Sequence, residues 1–171
     1  MNKRLIISII LVIIWASIIF IFSNMESNES NSKSKSVIDN IIEKVDNITN
    51  ANEEVIKRHQ TFVFKEKSNF IFRKICHASV YFAFSILVFN LIIQLKKGSL
   101  SFYILLTILI CFIYAITDEY HQTFVIGRTG QFIDIIIDTI GSAIGAIFIS
   151  TIYKIVIRKS VNKKKMRKIK E

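Results

Sequence analysis

The polar residues able to carry chemistry in this chain are concentrated between two strongly apolar segments. The stretch from Asp118 to Asp138, DEYHQTFVIGRTGQFIDIIID, holds four carboxylates, a histidine and an arginine. An ionisable side chain inside a membrane costs roughly 2.5–3.5 kcal/mol at a helix centre, and less near the membrane surface. Such groups are therefore either paired with one another or used to recognise or transform a ligand.

Most of these residues, together with three residues between positions 74 and 81, recur at helical spacing and form three groups. They are Lys74, His77 and Tyr81, then Asp118, His121 and Gln122, then Asp134 and Asp138 followed by Gly141 and Gly145. Members of each group are three, four or seven residues apart, so a helix places them on one face. Glu119 points elsewhere if the second helix continues. Arg128, between Gly127 and Gly130, is predicted to lie in a turn or a partly re-entrant loop.

Four apolar runs are long enough, or nearly so, to place these groups at a membrane. They are Leu5–Phe22, Ile75–Leu95, Leu100–Thr117 and Phe132–Ile157. About 20 helical residues cross a hydrocarbon core of about 30 Å. No small-residue cleavage site follows the first run, which favours a retained helix over a signal peptide. The predicted fold class is all-α, a polytopic membrane bundle of about four transmembrane helices.

The distribution of basic residues predicts the orientation of this bundle. Cytoplasmic segments collect Lys and Arg, as do the N-terminus, the link after the second run and the tail. Residues 1–4 and the basic tail 158–171 are therefore predicted to be cytoplasmic, on either side of a membrane domain at 5–157. The segment 23–74, with nine basic and eight acidic residues, is then extracytoplasmic. The tail follows a span directly and lacks interleaved aromatics, which favours contact with anionic lipid over nucleic acid.

The extracytoplasmic segment contains three patterns. Residues 23–36 are rich in Ser and Asn and predict a linker. From Val37 to Ile48, apolar residues recur at helical spacing and predict an extracytoplasmic amphipathic helix, lying on the membrane or capping the bundle. The apolar and aromatic stretch Phe62–Phe72 is predicted to lead into the second span.

Taken together, the polar patterns resemble those of the VanZ-like membrane family. The matching residues are Phe22-Ser23, Lys74, His77, Tyr81, Asp118, Glu119, Gln122, Gly127, Arg128, Asp134, Asp138, Gly141 and Gly145. The chain departs from the family at Ile126, where members often have proline, and in the turn after the first span. The resemblance implies a bacterial membrane protein linked, through the family's founding member, to low-level teicoplanin resistance. It implies no defined biochemical activity.

The residues favour a non-enzymatic site on the outer face that binds or shields an anionic or lipid-linked head group of the cell envelope. With the resemblance, this predicts a contribution to glycopeptide tolerance of the teicoplanin type. The candidate ligand-binding residues are Arg73, Lys74, His77, Tyr81, Asp118, Glu119, His121, Gln122, Arg128, Asp134 and Asp138. Guanidinium and ammonium groups are suited to phosphate or carboxylate. The expected partners are membrane lipid and a lipid-linked cell-wall precursor or glycopeptide, without nucleic acid, and the oligomeric state stays open.

The alternative is an intramembrane enzyme that acts on a lipid-linked or cell-wall substrate through histidine and carboxylates. The sequence contains neither a GxSxG nucleophile motif nor an HExxH zinc motif. Glu119 and His121 are two residues apart and do not share a helix face. Enough nitrogen and oxygen ligands for a divalent metal are present in His77, Asp118, Glu119, His121, Asp134 and Asp138. We nevertheless predict no metal and no cofactor, and metal binding stays open. A transport pathway is disfavoured because the third span has almost no polar group in its inner half.

A purely structural role for the polar residues also stays open. Charged groups buried in membranes are usually paired with one another. The predicted pairs are Arg128 with Asp134 or Asp138, and Lys74 with Asp118 or Glu119.

Overall fold

Six α-helices form the chain, and no strand occurs in the parts that the computed structural model describes, residues 3–25, 27–95 and 98–168. The helices are α1 (Lys3–Ser23), α2 (Ser27–Thr49), α3 (Glu53–His59), α4 (Phe62–Ile92), α5 (Leu100–Gln122) and α6 (Phe132–Lys168), with a 3₁₀ turn at Ile93–Leu95. Four stretches are long and apolar enough to cross a membrane: α1, α4, α5 and Phe132–Val156 of α6. The all-α class is confirmed, and each predicted span lies within, or largely within, one of these four candidate helices.

Helices α4 and α6 form the most extensive contact of the bundle. Gly141 and Gly145 face α4, and a Cβ at Gly145 would lie 2.5 Å from the carbonyl oxygen of Phe82. A Cβ at Gly141 would lie 2.9 Å from the Cα of Ala78. Neither distance can accommodate a side chain, so the two glycines, four residues apart, allow the backbones to meet.

An aromatic and apolar core lies between α4 and α5. Phe84 packs against Tyr114 with ring centroids 5.1 Å apart, and Phe89, Cys111 and Ala115 are fully buried. In lipid the hydrophobic effect does not separate these helices from their surroundings, so close packing of such side chains supplies most of the association. The core therefore fixes α5 against α4 directly below the polar residues.

Helix α1 is mostly exposed and is fastened to the bundle by hydrogen bonds. The indole Nε1 of Trp15 donates to the carbonyl of Val80 at 3.1 Å, and the hydroxyl of Tyr114 donates to the carbonyl of Ala16 at 2.7 Å. Near the start of α1, Gln94 Nε2 donates to Ser8 Oγ at 2.6 Å. These contacts set α1 antiparallel to α4.

Helix α2 begins far earlier than predicted, so the proposed linker at 23–36 is wrong over most of its length. Ion pairs to α4 stabilise the helix, with Lys35 to Glu66 at 2.6 Å and Asp39 to Lys65 at 2.8 Å. These pairs are exposed and contribute only about 0–1 kcal/mol each, so packing of α2 on α4 is what mainly offsets the weak helix propensity of Ser and Asn. The amphipathic helix itself is present and packs on α4.

Helices α4, α5 and α6 all extend beyond the predicted spans. The aromatic lead-in is the first part of α4, which begins at an N-cap formed by Thr61. Helix α5 continues past Thr117 to Gln122, and α6 continues into the basic tail as far as Lys168. The polar residues after Thr117 are consequently held on a rigid helix instead of a loop.

We expect Gly145→Ala to lower the free energy of unfolding in detergent by roughly 1–3 kcal/mol, the usual range for an overpacked contact. The added methyl group would meet backbone atoms of α4, which cannot rotate away. Ile144→Ala is the matched control, because Ile144 is exposed on the same turn of α6. Thermal unfolding measures both variants, and equal losses of stability would show that the glycine contact is not limiting.

Candidate functional site

A cavity of about 390 Å³ opens at the end of the bundle where α1 and α5 end and α6 begins, hereafter the polar end. Six predicted site residues line it: Arg73, His77, Tyr81, Asp118, Gln122 and Arg128. Apolar side chains of α1, α2 and α4, among them Ile19, Phe22, Val37 and Val80, form the rest of its wall. The cavity thus combines a charged side with a lipid-like side.

Two arginines at this cavity are held by neutral groups. Arg73 donates to the side-chain oxygen of Asn31, and Arg128 donates to Gln122 Oε1 at 3.1 Å. Within the described ranges, no carboxylate forms an ion pair with either guanidinium, and the buried Nε of Arg128 has no acceptor. Burial and the positive charge of Arg73 both lower the pKa of Arg128. Asp118, Glu119 and Asp134 oppose this shift without forming an ion pair with Arg128, so two neighbouring guanidiniums without a carboxylate in direct contact favour an anionic ligand.

Lys74 pairs with Asp134, the first acidic residue of α6. The ammonium also donates to Gln131 Oε1 at 3.3 Å and lies 5.0 Å from the ring centre of Phe70. Both side chains are largely buried, with 16% of Lys74 and 12% of Asp134 exposed.

Both predicted pairings are therefore wrong. They were Arg128 with Asp134 or Asp138, and Lys74 with Asp118 or Glu119. The close contact between α4 and α6 turns Asp134 towards Lys74, while the loop carries Arg128 back over the end of α5.

A buried group of donors, hereafter the triad, consists of His77 on α4, Glu119 on α5 and Asp138 on α6. Each residue offers one ligand-type atom, and these atoms lie within 4.8 Å of one another. His77 Nδ1 lies 3.6 Å from Asp138 Oδ1, and Glu119 Oε2 accepts a hydrogen bond from the backbone N–H of Gln131 at 2.9 Å. Glu119 does point away from the face of Asp118, as predicted, and it joins the triad by doing so.

Hydrogen-bonding capacity remains on the cavity wall. Gln122 donates to Asp118 Oδ2 at 3.4 Å. The other oxygen of Asp118 and the hydroxyl of Tyr81 are buried and find no partner in the part of the chain that is described. A ligand with hydroxyl or amide groups would satisfy both.

The loop between α5 and α6 positions the groups at the mouth of the cavity. Gly127 has φ of 73°, a left-handed conformation that favours glycine, and the N–H of Arg128 closes a turn on the carbonyl of Val125 at 3.1 Å. A Cβ at Gly130 would lie 2.7 Å from the carbonyl oxygen of Glu119. The predicted turn around Arg128 is confirmed.

His121 lies apart from both groups, and other residues were missed. Its ring packs edge-on against Phe20 of α1, with centroids 4.4 Å apart, and it does not line the cavity, although it is close enough to act on the carboxylate of Asp118. Gln131 was not predicted, although it contacts both Lys74 and Glu119. Its position just before α6 could have predicted a contact, because the first N–H groups of a helix need acceptors from outside the helix. Asn69, buried on α4 with an unpartnered side-chain oxygen, gave no such signal.

The VanZ/LLP1 family model matches residues 8–155, which include the whole polar end. The chain belongs to the VanZ/LLP1 family. No curated protein and no solved structure matches it. The resemblance found in the sequence is thus confirmed for this VanZ/LLP1 protein, and its site residues rest on the geometry described above.

We expect Lys74→Met and Asp134→Asn each to destabilise the protein by about 3–5 kcal/mol, because each leaves a largely buried charge without its partner. The double variant should lose less than the sum of the two. The exposed pair of Lys35 and Glu66, with 48% and 41% of the side chains exposed, is the control, and removing either partner should change stability by only about 0–1 kcal/mol. Chemical unfolding in detergent measures all variants, and additive losses at Lys74 and Asp134 would contradict a coupled pair.

Proposed function

We propose that this VanZ/LLP1 protein binds the anionic head group of a cell-envelope lipid in the cavity at its polar end. The observation that carries the proposal is the pair of neighbouring guanidiniums, Arg73 and Arg128, held by amide oxygens instead of carboxylates. Guanidinium binds phosphate through two parallel hydrogen bonds when its donors are not already taken by a carboxylate. The unpartnered Nε of Arg128 is such a donor.

The remaining wall supports a head group larger than a bare phosphate. Tyr81 and Asp118 add an unpartnered hydroxyl and an unpartnered carboxylate oxygen, which suit the hydroxyl and amide groups of a sugar or peptide. The apolar residues Ile19, Phe22 and Val80 line the opposite side, where the first carbons of a lipid chain fit. A lipid-linked cell-wall precursor combines all of these features.

The polar end is proposed to face the outside of the cell. Helices α1 and α5 run towards it, while α4 and α6 run away from it. The basic residues of the N-terminus, the α4–α5 link and the tail then belong to the opposite side, as the preference of Lys and Arg for the cytoplasm requires. The cavity would open towards lipids of the outer leaflet.

Cysteine labelling tests this orientation. In a background without Cys76 and Cys111, we expect Thr129→Cys and Ser32→Cys to react with an impermeant maleimide on intact cells, since both lie on the outer side. Ser160→Cys should react only after the cells are lysed. Labelling of Ser160→Cys alone on intact cells would place the polar end in the cytoplasm and overturn the proposed access to outer-leaflet lipid.

Lipid binding is tested with purified protein in detergent, titrated with a polyprenyl phosphate and followed by native mass spectrometry. Arg73→Gln and Arg128→Gln should each weaken binding about tenfold or more, because a charge-assisted hydrogen bond contributes roughly 1.5–3 kcal/mol. Arg58→Gln is the matched control, since Arg58 is exposed on α3 and does not line the cavity. Equal affinity in all three variants would contradict a head-group site at this cavity.

The family resemblance and the proposed site together support a contribution to glycopeptide tolerance, and the same three variants test it in cells. We expect the parent protein to lower susceptibility to teicoplanin more than to vancomycin, because the lipid tail of teicoplanin keeps it at the outer leaflet. Arg73→Gln and Arg128→Gln should remove this difference at unchanged membrane levels, whereas Arg58→Gln should keep it. Tolerance that persists in the cavity variants would separate the phenotype from lipid binding.

An intramembrane enzyme acting on a lipid-linked or cell-wall substrate is the second candidate. It is favoured by the buried contact of His77 with Asp138, beside Glu119, since imidazole and carboxylate can share a proton in general acid–base catalysis. Loss of a catalytic group removes orders of magnitude of rate, whereas a binding site loses function in proportion to affinity. Incubation with a lipid-linked precursor distinguishes the two candidates. An enzyme that cleaves or modifies the precursor changes the precursor's mass, whereas a binding protein leaves that mass unchanged.

A further inference from the structure

The triad of His77, Glu119 and Asp138 has the donor set of a transition-metal site. Its three donor atoms come from three different helices and lie within 4.8 Å of one another. Zinc bonds of about 2.0–2.2 Å place neighbouring ligand atoms roughly 3.4 Å apart in a tetrahedron. Binding would therefore require the side chains to rotate towards one another.

The carboxylates of the triad also have buried oxygens without a hydrogen-bond partner. Asp138 is fully buried, and neither of its oxygens has a hydrogen-bond partner in the described ranges. Glu119 is 3% exposed, and its Oε1 also lacks a partner. A buried carboxylate without a partner is costly, so it is normally paired with a cation or bound to a metal.

The charges around the triad lack a permanent cation. Lys74 pairs with Asp134, and Arg128 donates to Gln122. His77 is the nearest remaining basic group to Asp138. A divalent cation with a neutral imidazole would balance Glu119 and Asp138 completely.

We infer that His77, Glu119 and Asp138 bind one divalent transition-metal ion, Zn²⁺ or Mn²⁺, between α4, α5 and α6. One imidazole and two carboxylates match these ions better than Mg²⁺ or Ca²⁺, which prefer oxygen ligands throughout. The N–H of Gln131 holds Glu119 Oε2 at 2.9 Å, which orients this carboxylate as partners of metal ligands commonly do. Three protein ligands leave coordination positions open.

The inference goes beyond the proposed lipid binding and does not depend on it. His77 lines the cavity, whereas Glu119 and Asp138 are not part of its wall. The ion would therefore lie behind the cavity and touch it through His77. Metal content is measured without any lipid, so failure of one proposal leaves the other standing.

The test uses protein purified in detergent through a tag without histidine, so that the tag binds no metal. Metal per chain is measured by inductively coupled plasma mass spectrometry before chelation, after chelation and after dialysis against Zn²⁺ or Mn²⁺. We expect close to one ion per chain, removal by the chelator and restoration on dialysis. His77→Gln, Glu119→Gln and Asp138→Asn should each weaken binding at least tenfold.

The controls are His121→Gln and Asp118→Asn, which change the same residue types at the same end of α5 and should keep the ion. Should the triad variants fail to fold, the wild-type protein still decides the question. Binding of Zn²⁺ or Mn²⁺ to the chelated wild type must raise its melting temperature, and Co²⁺ must give an absorption spectrum that shows a nitrogen ligand. A chelated wild type that binds neither Zn²⁺ nor Mn²⁺, or a folded Asp138→Asn variant that binds as tightly as wild type, would overturn the inference.

Discussion

The close contact between α4 and α6 is the constraint on which the polar end depends. Gly141 and Gly145 allow the two backbones to touch, and one and two turns before Gly141 the same face of α6 carries Asp138 and Asp134. These carboxylates are therefore brought to His77 and Lys74 on α4. A side chain at either glycine would move the helices apart and separate charges that lipid cannot solvate.

Two polar sites result from this arrangement, the cavity and the triad. They differ in the sign of the charge that lacks a direct partner. The cavity presents guanidiniums held by amides, beside an apolar wall, and is suited to an anion that carries a hydrocarbon chain. The triad, by contrast, presents buried carboxylates to a single imidazole and is suited to a small cation. The two meet at His77, so an ion in the triad would fix the ring that forms part of the cavity wall.

The sequence predicted those features that depend on spacing within one helix. The four candidate spans, the shared face of Lys74, His77 and Tyr81 and the turn at Arg128 are all local patterns. The sequence pattern could not predict contacts between different helices. For this reason Asp134 was paired with Arg128 and not with Lys74. A metal site was discounted because Glu119 and His121 do not share a face, yet the triad takes its other members from α4 and α6.

Helix α1 has a further consequence for how a lipid would enter. Most of its apolar surface faces outward and can be covered by lipid chains, so parting it from the bundle breaks the packing at Ile19 and the bonds donated by Trp15, Tyr114 and Gln94. Hydrogen bonds between membrane helices are worth roughly 0.6–1.7 kcal/mol each. Residues near the end of α1 line the cavity, so under the proposed lipid binding α1 would act as a lateral gate, and a lipid chain would enter between α1 and α4 with its head group at the membrane surface.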